Sequence, residues 1–366
     1  MNPNPRGQLL MTGVPSYELD VETAATLRKI QPGAFILFGR NIKSPGQLRK
    51  LIDDLRDFSE VEPIITIDQE GGRVSRLKLI GNEPPNAQQL RDKGDLALIR
   101  THGEITGMLL RIFGFNLDLC PVLDISFDDD ADNSLRGRCY GRTVAEVIEK
   151  ASAFNDGLRS TGVMSCGKHF PGYAAAGLDP HHDLPVISRS REELDAEELA
   201  IFRHFAPHVD SMMICHAAYP ALDPEQAPAS LSRRIVVDLL QQEHGFEGLI
   251  MTDDLDMGAI VNQMSLGESV SAAIRAGNHL AMICHRVAQL EEADAALKGM
   301  ASRELDSALQ KVAEVKKSLV APLPYSEELF REWDAKVWDL RVAVLGPEKA
   351  AERSPEDGKR SPVEIY

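Results

Sequence analysis

Short apolar runs alternate with amphipathic stretches along this chain, and that alternation limits the fold more than any other feature. The apolar runs are QLLMTGV (8–14), AFILFG (34–39), PIITID (63–68), FNLDLCPVLDI (115–125), VMSCGKHF (163–170), SMMICHAAYP (211–220), GLIMTDD (248–254) and HLAMICH (279–285). Between and after them come stretches of helical periodicity, among them VETAATLRKI, PGQLRKLIDDLRDF, LALIRTHGEITGMLLRIFG, VAEVIEKASAFNDGLRSTG, REELDAEELAIFRHFAPHV, SRRIVVDLLQQEHG, ESVSAAIRAG and a long one over 287–320. Several end in glycine, the preferred helix stop. Strands separated by whole helices cannot pair as hairpins; they lie parallel, with the helices as crossovers. Eight such units predict an α/β fold, a single-domain (β/α)8 TIM barrel over residues 1–345. An open doubly wound sheet is the alternative. No glycine-rich dinucleotide fingerprint follows any run, and no phosphate loop is present. Residues 346–366 are charged with few apolar positions, and are expected to form a mobile tail.

Composition narrows the function. With 366 residues, 43% of them apolar, the chain has material for one large core. A formal net charge of −16 repels polyanions, so nucleic acid is not an expected partner. No stretch approaches the ~18 apolar residues of a membrane span, and the N-terminal residues lack a signal-like apolar core. The five cysteines, Cys120, Cys139, Cys166, Cys215 and Cys284, are scattered and form no CxxC pair. That usage fits reduced cysteines and a cytoplasmic location.

In a (β/α)8 barrel the chemistry sits where strands end. Here the runs end at or near Asn41, Asp68, Asp124, Lys168 and His169, His216, Asp253 and Asp254, and His285. A single aspartate after a strand is ordinarily a helix cap. Charged or imidazole groups after nearly every strand instead predict one polar pocket for a small-molecule substrate. The densest stretch is KHFPGYAAAGLDPHHDLP (168–185). It reads as a metal site, an active-site loop or a solvated connection. No HxH lies on the first run, HExxH is absent, and the adjacent rings of His181 and His182 tend to point apart, which disfavours metal. Lys168 could be a Schiff-base lysine, but beside His169 and among carboxylates it is expected to remain a cation.

Five segments, in order and with characteristic gaps, resemble the family 3 glycoside hydrolases: ITIDQEGGRVSRL (65–77), GKHFPG (167–172), the D-P-H of 179–181, CHAAYPALD (215–223) and GFEGLIMTDDLDMGAI (245–260). The similarity is nearest to the single-domain bacterial β-N-acetylglucosaminidases (β-hexosaminidases) of peptidoglycan recycling. It implies a (β/α)8 barrel and exo-cleavage of terminal β-linked N-acetylglucosamine from muropeptide fragments, without metal or cofactor. Retention through a covalent glycosyl-aspartate is implied, with Asp253 as nucleophile. His181 is implied as acid/base, held by Asp179. Sugar contacts carry over onto Asp68, Arg76, Arg138, Lys168 and His169. A histidine suits the acid role, because its ordinary pKa already lies near neutrality.

The chain departs from the family pattern after KHFPG. Tyr173, Ala174, Ala175 and Ala176 stand where the family usually has His-Gly-Asp-Thr, and Pro180 replaces the serine between the catalytic pair. The spacing of Asp179 and His181 survives. A polar side chain near the substrate is expected to be lost, and Pro180 to stiffen the loop. Two other functions stay open: a family 3 β-glycosidase of different sugar preference or a glycoside phosphorylase, and a non-catalytic muropeptide-binding protein.

Overall fold

The computed structural model describes residues 4–130, 133–173 and 184–354. Eight parallel strands close into a barrel in sequence order: β1 (Leu10–Thr12), β2 (Ala34–Leu37), β3 (Ile64–Ile67), β4 (Leu117–Asp118), β5 (Met164–Phe170), β6 (Ser211–Ile214), β7 (Leu249–Asp254) and β8 (Leu280–Ile283). Each predicted apolar run holds one of them. Closure is by β8 onto β1, with Leu10 opposite Ala281 and Thr12 opposite Ile283, so the open-sheet alternative is set aside. β4 is short because Pro121 has no amide to donate. Its ladder resumes where Val122 bridges Lys168 and the Leu123 amide donates to the Lys168 carbonyl (2.6 Å).

The crossover helices follow from local rules. Pro45–Phe58 begins with Ser44, whose hydroxyl accepts from the Gln47 amide, and with proline at its first position. It turns Leu48, Leu51, Ile52 and Leu55 inward at helical spacing. Each of these is almost completely buried, which is worth roughly 1.5–3 kcal/mol per side chain. Leu96–Phe113 ends at Gly114 and Leu266–Ala276 at Gly277, both glycines in the left-handed region. No helix among the described residues is long and apolar enough to cross a membrane.

Three departures from the sequence reading stand out. The run over 191–209 breaks at Glu197 into Arg191–Ala196 and Glu198–Phe205. The run over 287–320 breaks at Met300, giving Leu290–Gly299 and Ser302–Val315. The third is a correction to the expected tail. A helix, Glu327–Leu345, lies across Leu96–Phe113, and the chain after it stays packed through Ser354. Arg341 donates to the Ala350 carbonyl (2.6 Å) and the Glu83 carbonyl (3.0 Å). Arg353 donates to the carbonyls of Lys78 and Gly81 (both 3.1 Å), and Ser354 to Glu83 (2.8 Å). Charges that suggested a solvated tail are thus used as hydrogen-bond donors; residues 355–366 lie outside the described residues.

His102 is fully buried against Phe154 (ring centroids 5.2 Å apart), and neither ring nitrogen has a hydrogen-bond partner among the described residues. Burial pushes its pKa down to about 4 from an ordinary 6.5. The unfolded chain therefore binds this proton first as pH falls. The stabilising effect is complete above about pH 6.5 and is lost toward pH 4, at roughly 1.4 kcal/mol per pH unit within that window. Urea unfolding from pH 7 to pH 5 is expected to weaken the wild type more than His102→Leu. Parallel curves for the two proteins would show that His102 carries no such linkage.

Candidate active site

The end of β3 is built by a tight turn. Asp68 ends the PIITID run, and Gln69–Gly71 folds back on Val74–Ser75 as a two-stranded antiparallel hairpin. Gly71 and Gly72 both have positive φ, and a Cβ on Gly71 would lie 2.2 Å from the Pro85 carbonyl oxygen. The double glycine is therefore a steric requirement. Gln69 clamps the turn, donating to the Ser75 hydroxyl (2.7 Å) and accepting from the Leu77 amide (3.1 Å). The result aims Asp68 and Glu70 at the end of β5.

There they meet two buried cations. Lys168 is 1% exposed and reaches Asp68 (2.6 Å) and Glu70 (2.7 Å). Arg138 grips Glu70 with two hydrogen bonds of 2.7 Å. Burial works to raise the Glu70 pKa, but Arg138 and Lys168 overcome it and hold the group well below the usual carboxylate range. Burial likewise opposes the Lys168 charge, and Asp68 and Glu70 hold its pKa above the ordinary lysine value. Lys168 is a fixed ammonium, unlike a Schiff-base lysine, which must give up its proton to attack.

The neighbouring His169 is oriented by Asp124 at the end of the β4 run. One carboxylate oxygen of Asp124 accepts from the ring Nδ1 (2.7 Å) and the other from the Tyr173 amide (2.9 Å). Because Nδ1 donates there, Nε2 is the nitrogen left to face elsewhere. Across the barrel, β7 ends in two aspartates with different surroundings. Asp253 Oδ1 accepts from the Asp254 amide (2.8 Å). Asp254 is buried and accepts at Oδ1 from the amides of Asp256 (2.9 Å) and Cys284 (3.1 Å). Burial and the neighbouring Asp256 push its pKa well above the usual carboxylate range. His216 donates from Nε2 to the Asp254 carbonyl (2.9 Å), its other nitrogen being met by Ser230 (2.7 Å).

One cavity, about 490 Å³ when the open solvent at its mouth is included, is bordered by Asp68, Arg138, Lys168, His169, Tyr173, Asp253 and Asp254. Of the residues expected from the sequence to form the site, it brings together Asp68, Arg138, Lys168, His169 and Asp253. Arg76 is not on its wall. It is buried at the start of the 3₁₀ turn Arg76–Leu79, with its guanidinium 3.9 Å from the Asp68 carboxylate. Asp179 and His181 lie outside the described residues. Among the described residues no group of three or more His, Cys, Asp or Glu is arranged to hold a metal ion.

Comparison with known proteins identifies the family of this chain. The profile of the Glycosyl hydrolase family 3 N terminal domain matches residues 5–315. A β-hexosaminidase from Tolumonas auensis is 33% identical over 280 residues, covering 75% of this chain and 82% of that protein. One from Pseudomonas aeruginosa is 32% identical over 290 residues, covering 79% and 86%. Among solved structures, a family 3 β-N-acetylglucosaminidase from Paenibacillus sp. FPU-7 superposes with a TM-score of 0.85 at 31% identity, covering 93% of this chain and 68% of that one. The protein is thus a glycoside hydrolase on a closed (β/α)8 barrel. It belongs to glycosyl hydrolase family 3, and its reaction class is hydrolysis of β-N-acetylhexosaminides.

Sequence reasoning passed over Glu70 and undervalued Tyr173. Glu70 was visible as part of DQEGG, and charge balance could have found it: with Arg138 and Lys168 both placed at the pocket, Asp68 alone cannot neutralise them. Tyr173 was expected only as the loss of a polar side chain, yet its hydroxyl meets Ser134 (2.7 Å) beside the cavity. Removing a partner from a buried charge pair costs about 3–5 kcal/mol. Glu70→Ala is expected to lose about that much unfolding free energy in urea. A loss under 1 kcal/mol would mean that the two cations do not depend on Glu70.

Proposed function

We propose that this enzyme is a retaining exo-β-N-acetylglucosaminidase acting on N-acetylglucosaminyl-β-1,4-anhydromuramic acid fragments of peptidoglycan in the cytoplasm. The observation that carries this reading is the placement of Asp253 on the same cavity as Asp68, Arg138, Lys168 and His169. Both carboxylate acceptors and charged donors are there for sugar hydroxyls, each held by buried partners. Ile36, Leu119, Met213 and Met282 also border the cavity. A pocket floored by the barrel interior admits a chain end more readily than a chain middle, which favours exo-cleavage. The five cysteines, all free and buried, fit a reducing compartment.

Cleavage of a glycoside requires stabilisation of an oxocarbenium-like centre and a proton for the departing oxygen. Asp253 is assigned the attack on the anomeric carbon. Asp254 is less suited to it: its carboxyl is buried, and its Oδ1 is already taken by the amides of Asp256 and Cys284. Lys168, Arg138 and Asp68 hold the sugar, and His169, fixed by Asp124, adds a ring nitrogen. His181 is assigned the proton transfer, with Asp179 holding its ring. A sugar alcohol needs that proton to leave, whereas a nitrophenolate does not.

Asp253→Asn is expected to lower kcat on every substrate by several orders of magnitude, and Asp254→Asn much less. A reversed order would move the nucleophile to Asp254. Trapping with a slow fluorinated glycoside should label a peptide containing Asp253. His181→Ala should abolish disaccharide cleavage while sparing glycosyl transfer from aryl glycosides, with azide restoring turnover. Equal losses on both substrates without azide rescue would remove His181 from the proton-transfer role. Activity lost in chelator and restored by one metal would overturn the mechanism as a whole.

A further inference from the structure

His285 follows β8 at the barrel mouth, next to the aspartate pair of β7. Arg40, from the loop after β2, places its Nη1 3.1 Å from His285 Nδ1. A guanidinium can only donate, so Nδ1 accepts and the proton of the neutral ring lies on Nε2. That Nε2 stands 3.6 Å from Asp254 Oδ2, slightly longer than a hydrogen bond. Asp254 Oδ2 is buried and makes no hydrogen bond among the described residues. The Phe38 ring packs against the imidazole, with centroids 5.4 Å apart, and carries the Arg40 guanidinium 4.5 Å above its own centre. Arg40 is held in turn, donating from Nε to the Val14 carbonyl (2.9 Å) and from Nη2 to the Cys284 carbonyl (2.6 Å). A Cβ on Gly13 would lie 2.8 Å from Arg40 Nη2 and 2.0 Å from the Cys284 oxygen, so that glycine leaves room for the guanidinium where β8 closes onto β1. The Asp254 amide donates to Asp253 Oδ1 (2.8 Å). A path therefore runs from the barrel closure through Arg40, His285 and Asp254 to Asp253.

We propose that His285 is a positioning residue for the glycosidase reaction: held by Arg40, it fixes the Asp254 carboxyl, and through Asp254 the backbone amide that orients the Asp253 carboxylate. The inference rests on the function proposed above, because it takes Asp253 as the attacking group. Two amides fix Asp254 at Oδ1 and His216 fixes its carbonyl; His285 faces the other carboxyl oxygen. Burial first, and then Arg40, push the His285 pKa down to about 4, against the pull of Asp256. The ring is therefore neutral at pH 7 and keeps its Nε2–H as a donor. A misplacement of about 1 Å at an attacking group can cost on the order of a hundredfold in rate, so a modest loss of alignment is measurable.

The test compares His285→Leu, which removes the donor and keeps an apolar side chain against Phe38, with His285→Gln, which keeps an N–H. The readouts are kcat/KM on a nitrophenyl N-acetyl-β-glucosaminide, the inhibition constant of N-acetylglucosamine as a competitive inhibitor, and Tm. His285→Leu should lose about tenfold or more in kcat/KM, with the inhibition constant changed by less than about threefold. His285→Gln should recover most of that loss. In a cycle with Asp254→Asn, the double variant should be no worse than the poorer single one, because both act along one path. A wild-type kcat/KM in His285→Leu, an equal loss in His285→Gln at unchanged Tm, a parallel weakening of N-acetylglucosamine binding, or multiplying losses in the cycle would each overturn the proposal. Asp253→Asn, measured alongside, separates this role from the function beneath it. If that variant keeps the wild-type rate, the nucleophile assignment fails and the positioning role falls with it. If it is inactive while His285→Leu matches the wild type, the positioning role alone is lost.

Discussion

Lys168 keeps its ammonium charge at 1% exposure, and much of the site is arranged around that fact. A charge taken out of water needs close partners of opposite sign, and Asp68 and Glu70 supply them from the end of β3, across the intervening β4. Glu70 then requires Arg138, and Arg138 draws in the 133–138 turn. For Glu70 to face inward at all, the hairpin after β3 must fold tightly, which the double glycine permits. The segment beyond the hairpin is itself fastened by Arg341, Arg353 and Ser354 to the C-terminal part of the chain. The C-terminal helix lies outside the family match over residues 5–315, yet it braces the segment that follows the hairpin carrying Asp68 and Glu70.

The other side of the cavity shows how one short sequence divides its chemistry. Asp253 and Asp254 are neighbours with the same functional group. Both border the cavity, but Asp253 is partly exposed there, and its Oδ1 accepts from the Asp254 amide. Asp254 is enclosed, bonded to two amides from the β7 and β8 ends, and pushed toward its neutral form.

The eight apolar runs became eight strands because a parallel barrel strand is buried on both faces and reads as a continuous apolar segment. Helix positions followed equally well where a cap and a one-sided apolar stripe coincided, as at Pro45–Phe58. Local signals failed where the deciding contact was distant. The helix Glu327–Leu345 and the packed 346–354 segment depend on partners far away in the chain, which no local window contains.

The site divides along the same line. The sequence by itself determined which groups stand at strand ends, since hydrophobic pattern sets where a strand stops and the next polar residue must then lie at the barrel mouth. That was enough to bring Asp68, Lys168, His169 and Asp253 together as candidates. Only the tertiary structure decided that Arg76 stands beside Asp68, that Glu70 balances two cations, and that Tyr173 bridges two loops. Those outcomes depend on distances between residues up to about a hundred positions apart, such as Asp68 and Lys168, and burial gives each such contact its energetic weight. Charge compensation in a dry interior is a property of the closed barrel, and no stretch of the chain carries it alone.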